Sequence, residues 1–120
     1  MTATITIDFS SDFSAAAGYR REAGRYYDRS AAAARRAAGW YKLAAGKREH
    51  AAWLTARPDL WAEDPAFVPA LHEHTAAVFT RVADRYLRSA FRNMDQARHA
   101  NERAAYHAAR HAGLTRKDPA

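Results

Sequence analysis

The sequence predicts an all-α protein, two long antiparallel helices joined near the middle of the chain, and three observations carry that prediction. Residues 13–56 hold alanine clusters at 15–17, 31–34, 37–38, 44–45 and 51–52, and no proline. Pro58, Pro65 and Pro69 then crowd one short stretch, where a helix interior cannot continue. Beyond them, residues 67–112 contain no glycine and repeat their apolar residues at helical spacing. The pattern leaves room for two elaborations. A first helix broken at a glycine would give a three- or four-helix bundle, and dimerisation would complete a two-helix core.

Residues 1–12 form an N-terminal arm in this reading. Within it TITIDF, residues 4–9, alternates β-branched and polar types and is expected as one short strand. Ser10, Ser11, Asp12 and Ser14 are suited to cap the helix that follows. Helix 1 is expected over 13–56, supported by the high intrinsic helicity of alanine. Gly18, Gly24, Gly39 and Gly46 each weaken it by about 1 kcal/mol relative to alanine and mark places for a kink or a break.

The turn is expected over 57–66, with Leu60, Trp61, Phe67 and Val68 plugging that end of the hairpin. Asp64 followed by Pro65 has the form of a capping residue and first helical residue. Helix 2 is expected over 67–112, stopped by Gly113 in a left-handed cap, with 113–120 as tail. His107, Arg110 and His111 suit the negative pole of its last turns.

At 120 residues and 13.4 kDa the chain makes a single helical domain. It has no cysteine, so packing rather than disulfides or thiolate metal sites must hold the interior. No stretch approaches 18 uncharged apolar residues, so no transmembrane helix is expected. The first ten residues have neither a basic start nor a long apolar run. A signal peptide is not expected there, and the cytoplasm is the expected compartment. Nineteen Lys+Arg against thirteen Asp+Glu leave a formal charge of +6. Arginine far outnumbers lysine, which favours bidentate contacts to phosphate or carboxylate.

Placed at 100° per residue, helix 1 gathers Tyr19, Ala23, Tyr27, Ala34, Ala37, Tyr41, Ala44 and Ala52 on one side. Arg21, Arg25, Arg29, Arg36 and Lys47 fall opposite as a secondary basic face, while Arg48 points toward the apolar side. Helix 2 gathers Leu71, Thr75, Val78, Phe79, Val82, Tyr86, Ala90, Ala97, Ala100 and Ala104. Arg81, Arg85, Arg88, Arg92, Arg103 and Arg110 then align in one strip with His74 and His99. Leu87, Phe91 and Met94 extend the apolar surface around the far side, beside Asp84, Asp95 and Glu102, and mark the expected self-association face of a homodimer. Of the aromatic residues, Trp53 and Tyr26 are the expected exposed anchors and the others are expected mainly in the core.

No pattern for catalysis emerges. Ser30 and Ser89 lack a nucleophile elbow, no glycine-rich loop could cradle phosphates, and Glu22, Asp28 and Glu49 are dispersed. His72, His74, His99, His107 and His111 include no Glu-x-x-His, so neither a bundle di-metal centre nor any other metal or cofactor is expected. Length and architecture are similar to the WXG-type helical hairpins. Their motifs are not met: Trp61, Ala62 and Glu63 stand at the bend, and Arg110 is fourth after Tyr106.

The expected function is therefore non-enzymatic. The arginine strip of helix 2 is expected to contact nucleic-acid phosphates. The alternative is a protein–protein interaction module, an adaptor or inhibitor docking on the acidic surface of a larger protein. No membrane contact is expected.

Overall fold

The structure is a computed structural model, and it describes residues 9–64 and 67–115. Helix α1 runs Phe9–Thr55, a single 3₁₀ turn spans Pro58–Leu60, and helix α2 runs Phe67–Thr115. The chain is an all-α helical hairpin, with no strand among the described residues. None of its described helices is long and apolar enough to cross a membrane.

The two helices are longer than the sequence reading. α1 starts at Phe9, so Ser10, Ser11 and Asp12 lie inside its first turns rather than capping it from outside. The expected strand falls outside the described residues except for Phe9, which is helical. Gly18, Gly24, Gly39 and Gly46 do not break α1, and no third or fourth helix forms from it. Continuous alanine propensity on both sides outweighs four separate penalties of about 1 kcal/mol. Gly113 does not stop α2, which continues to Thr115; no described glycine takes the positive φ that a left-handed cap requires.

Side chains close the C-terminal end of α1. The Thr55 hydroxyl donates to the Ala51 carbonyl at 2.8 Å and the Arg57 guanidinium to that of Trp53 at 3.0 Å. The Trp61 indole N–H donates to the Leu54 carbonyl. The Trp53 and Leu54 carbonyls, which have no donor within the helix, are thus satisfied without glycine. Arg57 also lies over the Trp53 ring, 4.2 Å from its centre. Of the expected plug, Trp61 and Val68 are half-buried, whereas Leu60 is 57% exposed; the Phe67 side chain lies outside the description. Pro69 falls in the first turn of α2, where a missing N–H removes no helical hydrogen bond.

Burial follows a strict seven-residue repeat. On α1 the buried positions Ala16, Ala23, Ser30, Ala37, Ala44 and Ala51 recur every seven residues. On α2 Ala76, Ala83, Ala90, Ala97 and Ala104 do the same. Three positions on from each stands a second series: Tyr19, Tyr26, Ala33, Trp40, Lys47 and Leu54 on α1, and Phe79, Tyr86, Asn93, Ala100 and His107 on α2, each buried or half-buried. This is the a/d pattern of a coiled coil, with methyl groups at one position and mostly larger side chains at the other. Apart from Leu54, every buried apolar residue described is alanine. The small residues let the helices approach closely, and the half-buried aromatic rings supply apolar area that methyls cannot.

The repeat corrects the faces drawn at 100° per residue. Tyr27 is 45% exposed, Ala34 and Ala52 are exposed, and Leu71 and Val78 are 47% and 38% exposed. Ala16, Ala33, Ala51, Ala76 and Ala83 are buried in their stead. A straight helix drifts by about 20° per heptad from a seven-residue repeat, so a stripe drawn at 3.6 residues per turn leaves the seam after a few heptads.

The chain divides into two compact units. In the unit Ser30–Phe91, the Ser30 hydroxyl donates to the Ala90 carbonyl at 2.8 Å, satisfying a buried polar group and pairing those two positions across the seam. Trp40 packs on Phe79 with ring centres 5.2 Å apart, and Arg36 lies 5.8 Å from the centre of the Tyr86 ring. The Tyr41 hydroxyl donates to Asp84, a bond that raises the phenol's pKa above the ordinary 10. Arg48 reaches Thr80 Oγ1 at 2.9 Å, which accounts for its place beside the apolar side of α1.

The second unit pairs residues 9–29 with 92–115. Its centre is the buried Asp12 carboxylate, which meets His107 Nδ1 at 2.8 Å and Arg110 Nε at 3.3 Å. Tyr19 stacks on His107 at 5.6 Å, Arg103 lies over Tyr19 at 5.8 Å, and Asn101 donates to the Tyr27 hydroxyl at 3.3 Å. His107 and Arg110 therefore act in tertiary contacts, beyond any interaction with the helix pole.

Candidate basic interface

The arginines of α2 take different places relative to the buried repeat, each read within its own unit. Relative to the buried repeat, Arg81, Arg85, Arg88 and Arg92 occupy the outermost positions, whereas Arg103 and Arg110 flank the seam. The contacts agree with this placement. Arg110 pairs with Asp12 and Arg103 covers Tyr19, so both are engaged in the fold of their unit. Arg98, absent from the predicted set, pairs with Asp95 at 2.7 Å.

In the unit Ser30–Phe91, Arg81, Arg85 and Arg88 are exposed and make no ion pair among the described residues. Arg92 begins the other unit and is likewise exposed and unpaired. The nearby acids are occupied elsewhere. Asp84, one turn from both Arg81 and Arg88, accepts the Tyr41 hydroxyl. Asp95 is taken by Arg98 and by His99 at 3.4 Å, and Glu102 lies 3.6 Å from the other nitrogen of His99. Sequence alone could not assign these partners, because a carboxylate one turn from an arginine can turn toward it or across to the other helix.

The secondary basic face of α1 separates in a similar way. Arg21 and Arg25 are exposed. Arg29 is also exposed and lies over the Tyr26 ring at 5.6 Å, and Tyr26 is half-buried in the second series of the seam rather than exposed. Arg36 covers Tyr86. Lys47 is half-buried in the second series of the seam, not opposite it. Trp53 is 44% exposed, as expected of an anchor. Of the self-association residues, Phe91 and Met94 are 64% and 52% exposed, while Leu87 is half-buried.

The histidines make contacts the sequence did not signal. His50 and His72 meet from the two helices with ring centres 4.5 Å apart, edge to face, and His50 also stacks on Trp53 at 5.9 Å. His107 and His111 diverge, one to Asp12 and the other to Phe13 at 5.8 Å. Among the described residues no three His, Asp or Glu side chains are grouped to hold a metal ion. Comparison with protein-family models, with curated proteins and with solved structures finds no match.

His72 offers a direct check on this contact. Desolvation, then the charges of His50 and Lys47, lower its pKa below the ordinary 6.5. A folded-state pKa below the unfolded one makes the neutral imidazole the form that favours folding. This contribution is present above pH 6.5 and is lost as pH falls through the folded pKa. In an NMR titration the His72 midpoint is expected below that of a solvated histidine, and His50→Gln is expected to move it upward. An unchanged midpoint in His50→Gln would show that the rings do not interact.

Proposed function

We propose that the chain binds the phosphate backbone of nucleic acid through Arg81, Arg85 and Arg88. The observation that supports this reading is the combination of three exposed, unpaired guanidinium groups with a neighbouring Asp84 committed to Tyr41. None of the three is held in an ion pair among the described residues. Successive guanidinium groups at three and four residues advance about 4.5–6 Å along the helix, a spacing that can follow a charged backbone without reading base sequence.

A salt titration with a random-sequence duplex tests the reading. Three to four phosphate contacts predict a slope of log K against log salt of about −2.7 to −3.6. They also predict a loss of affinity of roughly 40- to 150-fold between 50 and 200 mM salt. No binding at about 50 mM salt would overturn it.

A second reading, docking on an acidic surface of a larger protein, draws support from Phe91 and Met94. Both are more than half exposed, and apolar side chains gain little against phosphates. Purified protein that ignores the duplex but binds an acidic protein would favour it. Neither reading calls for catalysis or a cofactor. Self-association through Leu87, Phe91 and Met94 would cover the same apolar side chains and belongs with this second reading.

A further inference from the structure

In the unit Ser30–Phe91, a groove of about 670 Å³ opens along α1 over Gly39 and Gly46. Leu43 stands between the two glycines and is 53% exposed, and His50 and the half-buried Lys47 continue the lining, with Lys42 beside them and His72 contributed by α2. Gly39, Leu43, Gly46 and His50 lie at steps of four, three and four residues, so they form one continuous stripe about 16 Å long. A Cβ built at either glycine meets nothing within 4 Å, so neither glycine serves packing inside the chain. Leu43 is left facing solvent, while Trp40 beside it packs on Phe79 and Ala37 and Ala44 are buried in the seam.

We infer that this groove docks an acidic amphipathic helix of another protein. Shape argues for a helix: the absent side chains at positions 39 and 46 let a second backbone approach closely, with Leu43 as the apolar knob between them. Charge argues for an acidic one. Between Ser30 and Thr55 the basic residues Arg35, Arg36, Lys42, Lys47 and Arg48 face a single acid, Glu49, and no acid lines the groove. The same imbalance disfavours a second copy of this chain, whose matching surface is equally basic. A phosphate backbone would leave Leu43 uncovered.

The test uses the full chain and a fluorescent 18-residue peptide with an alanine–leucine face flanked by glutamates, alongside the same peptide with lysines at the flanks. Fluorescence anisotropy is expected to show binding of the glutamate peptide only. Gly39→Leu combined with Gly46→Leu fills open space and replaces the poorest helix formers, so the Tm is expected to stay or rise while affinity falls at least tenfold. Lys42→Glu is expected to weaken binding severalfold without changing the fold. Affinity kept within twofold by the glycine variant, or equal binding of both peptides, would overturn the proposal. So would loss of peptide binding on Arg81→Gln, Arg85→Gln and Arg88→Gln, which would move the contact to the arginines. Sedimentation showing a wild-type dimer that the glycine variant abolishes would assign the groove to a second copy instead.

Discussion

Changing Arg81, Arg85 and Arg88 together to glutamine is expected to lower affinity for a random duplex at 50 mM salt by at least about 30-fold and to flatten the salt slope by about 3. The fold is expected to survive. None of the three makes an ion pair among the described residues, and exposed substitutions of this kind stay within about 0.5 kcal/mol each. Circular dichroism and Tm should therefore match the wild type. Arg103→Gln with Arg110→Gln is the informative contrast. These arginines hold Tyr19 and Asp12, so the expected effect is on the Tm, with a smaller change in binding. Full affinity in the triple variant would place the contact elsewhere, and equal effects of the two variants would mean that only overall charge matters.

Ala83→Leu is expected to be among the most destabilising single changes. Ala83 is fully buried in the seam, and so is Ala37, its counterpart one heptad along from the Ser30–Ala90 pair. A leucine there adds three carbons at a position with no exposed surface, and overpacking of this kind costs about 1–3 kcal/mol. For a chain of this size the corresponding drop in Tm is roughly 5–15 °C. Ala34→Leu supplies the control. Helical spacing of 3.6 residues per turn places Ala34 in the core, but it is exposed, and the change is expected to stay within about 0.5 kcal/mol. Thermal melts showing Ala34→Leu as the more damaging of the two would refute the seven-residue seam.

The pair of expectations at Ala83 and Ala34 also marks how far the sequence can be read. Alanine runs and the cluster at Pro58, Pro65 and Pro69 encode the hairpin locally, since helix propensity and proline's missing N–H act within a few residues. The lateral position of a residue is another matter. The difference between 3.5 and 3.6 residues per turn is negligible over one heptad and large over four, so Ala23 and Ala37 are placed well by either spacing while Ala52 is not, and Ala34, between the buried Ser30 and Ala37, lies on the flank of the seam.

Composition and spacing by themselves determined that this chain is two long helices with a bend between them, and that its surface is rich in arginine. Tertiary structure alone decided which arginines are free. Whether Asp84 turns to Arg88 or to Tyr41, and whether Asp12 finds His107 and Arg110, depends on the facing helix brought alongside by the seam. A carboxylate's choice of partner is settled by distances between residues far apart in sequence, and helical periodicity within one segment carries no record of them.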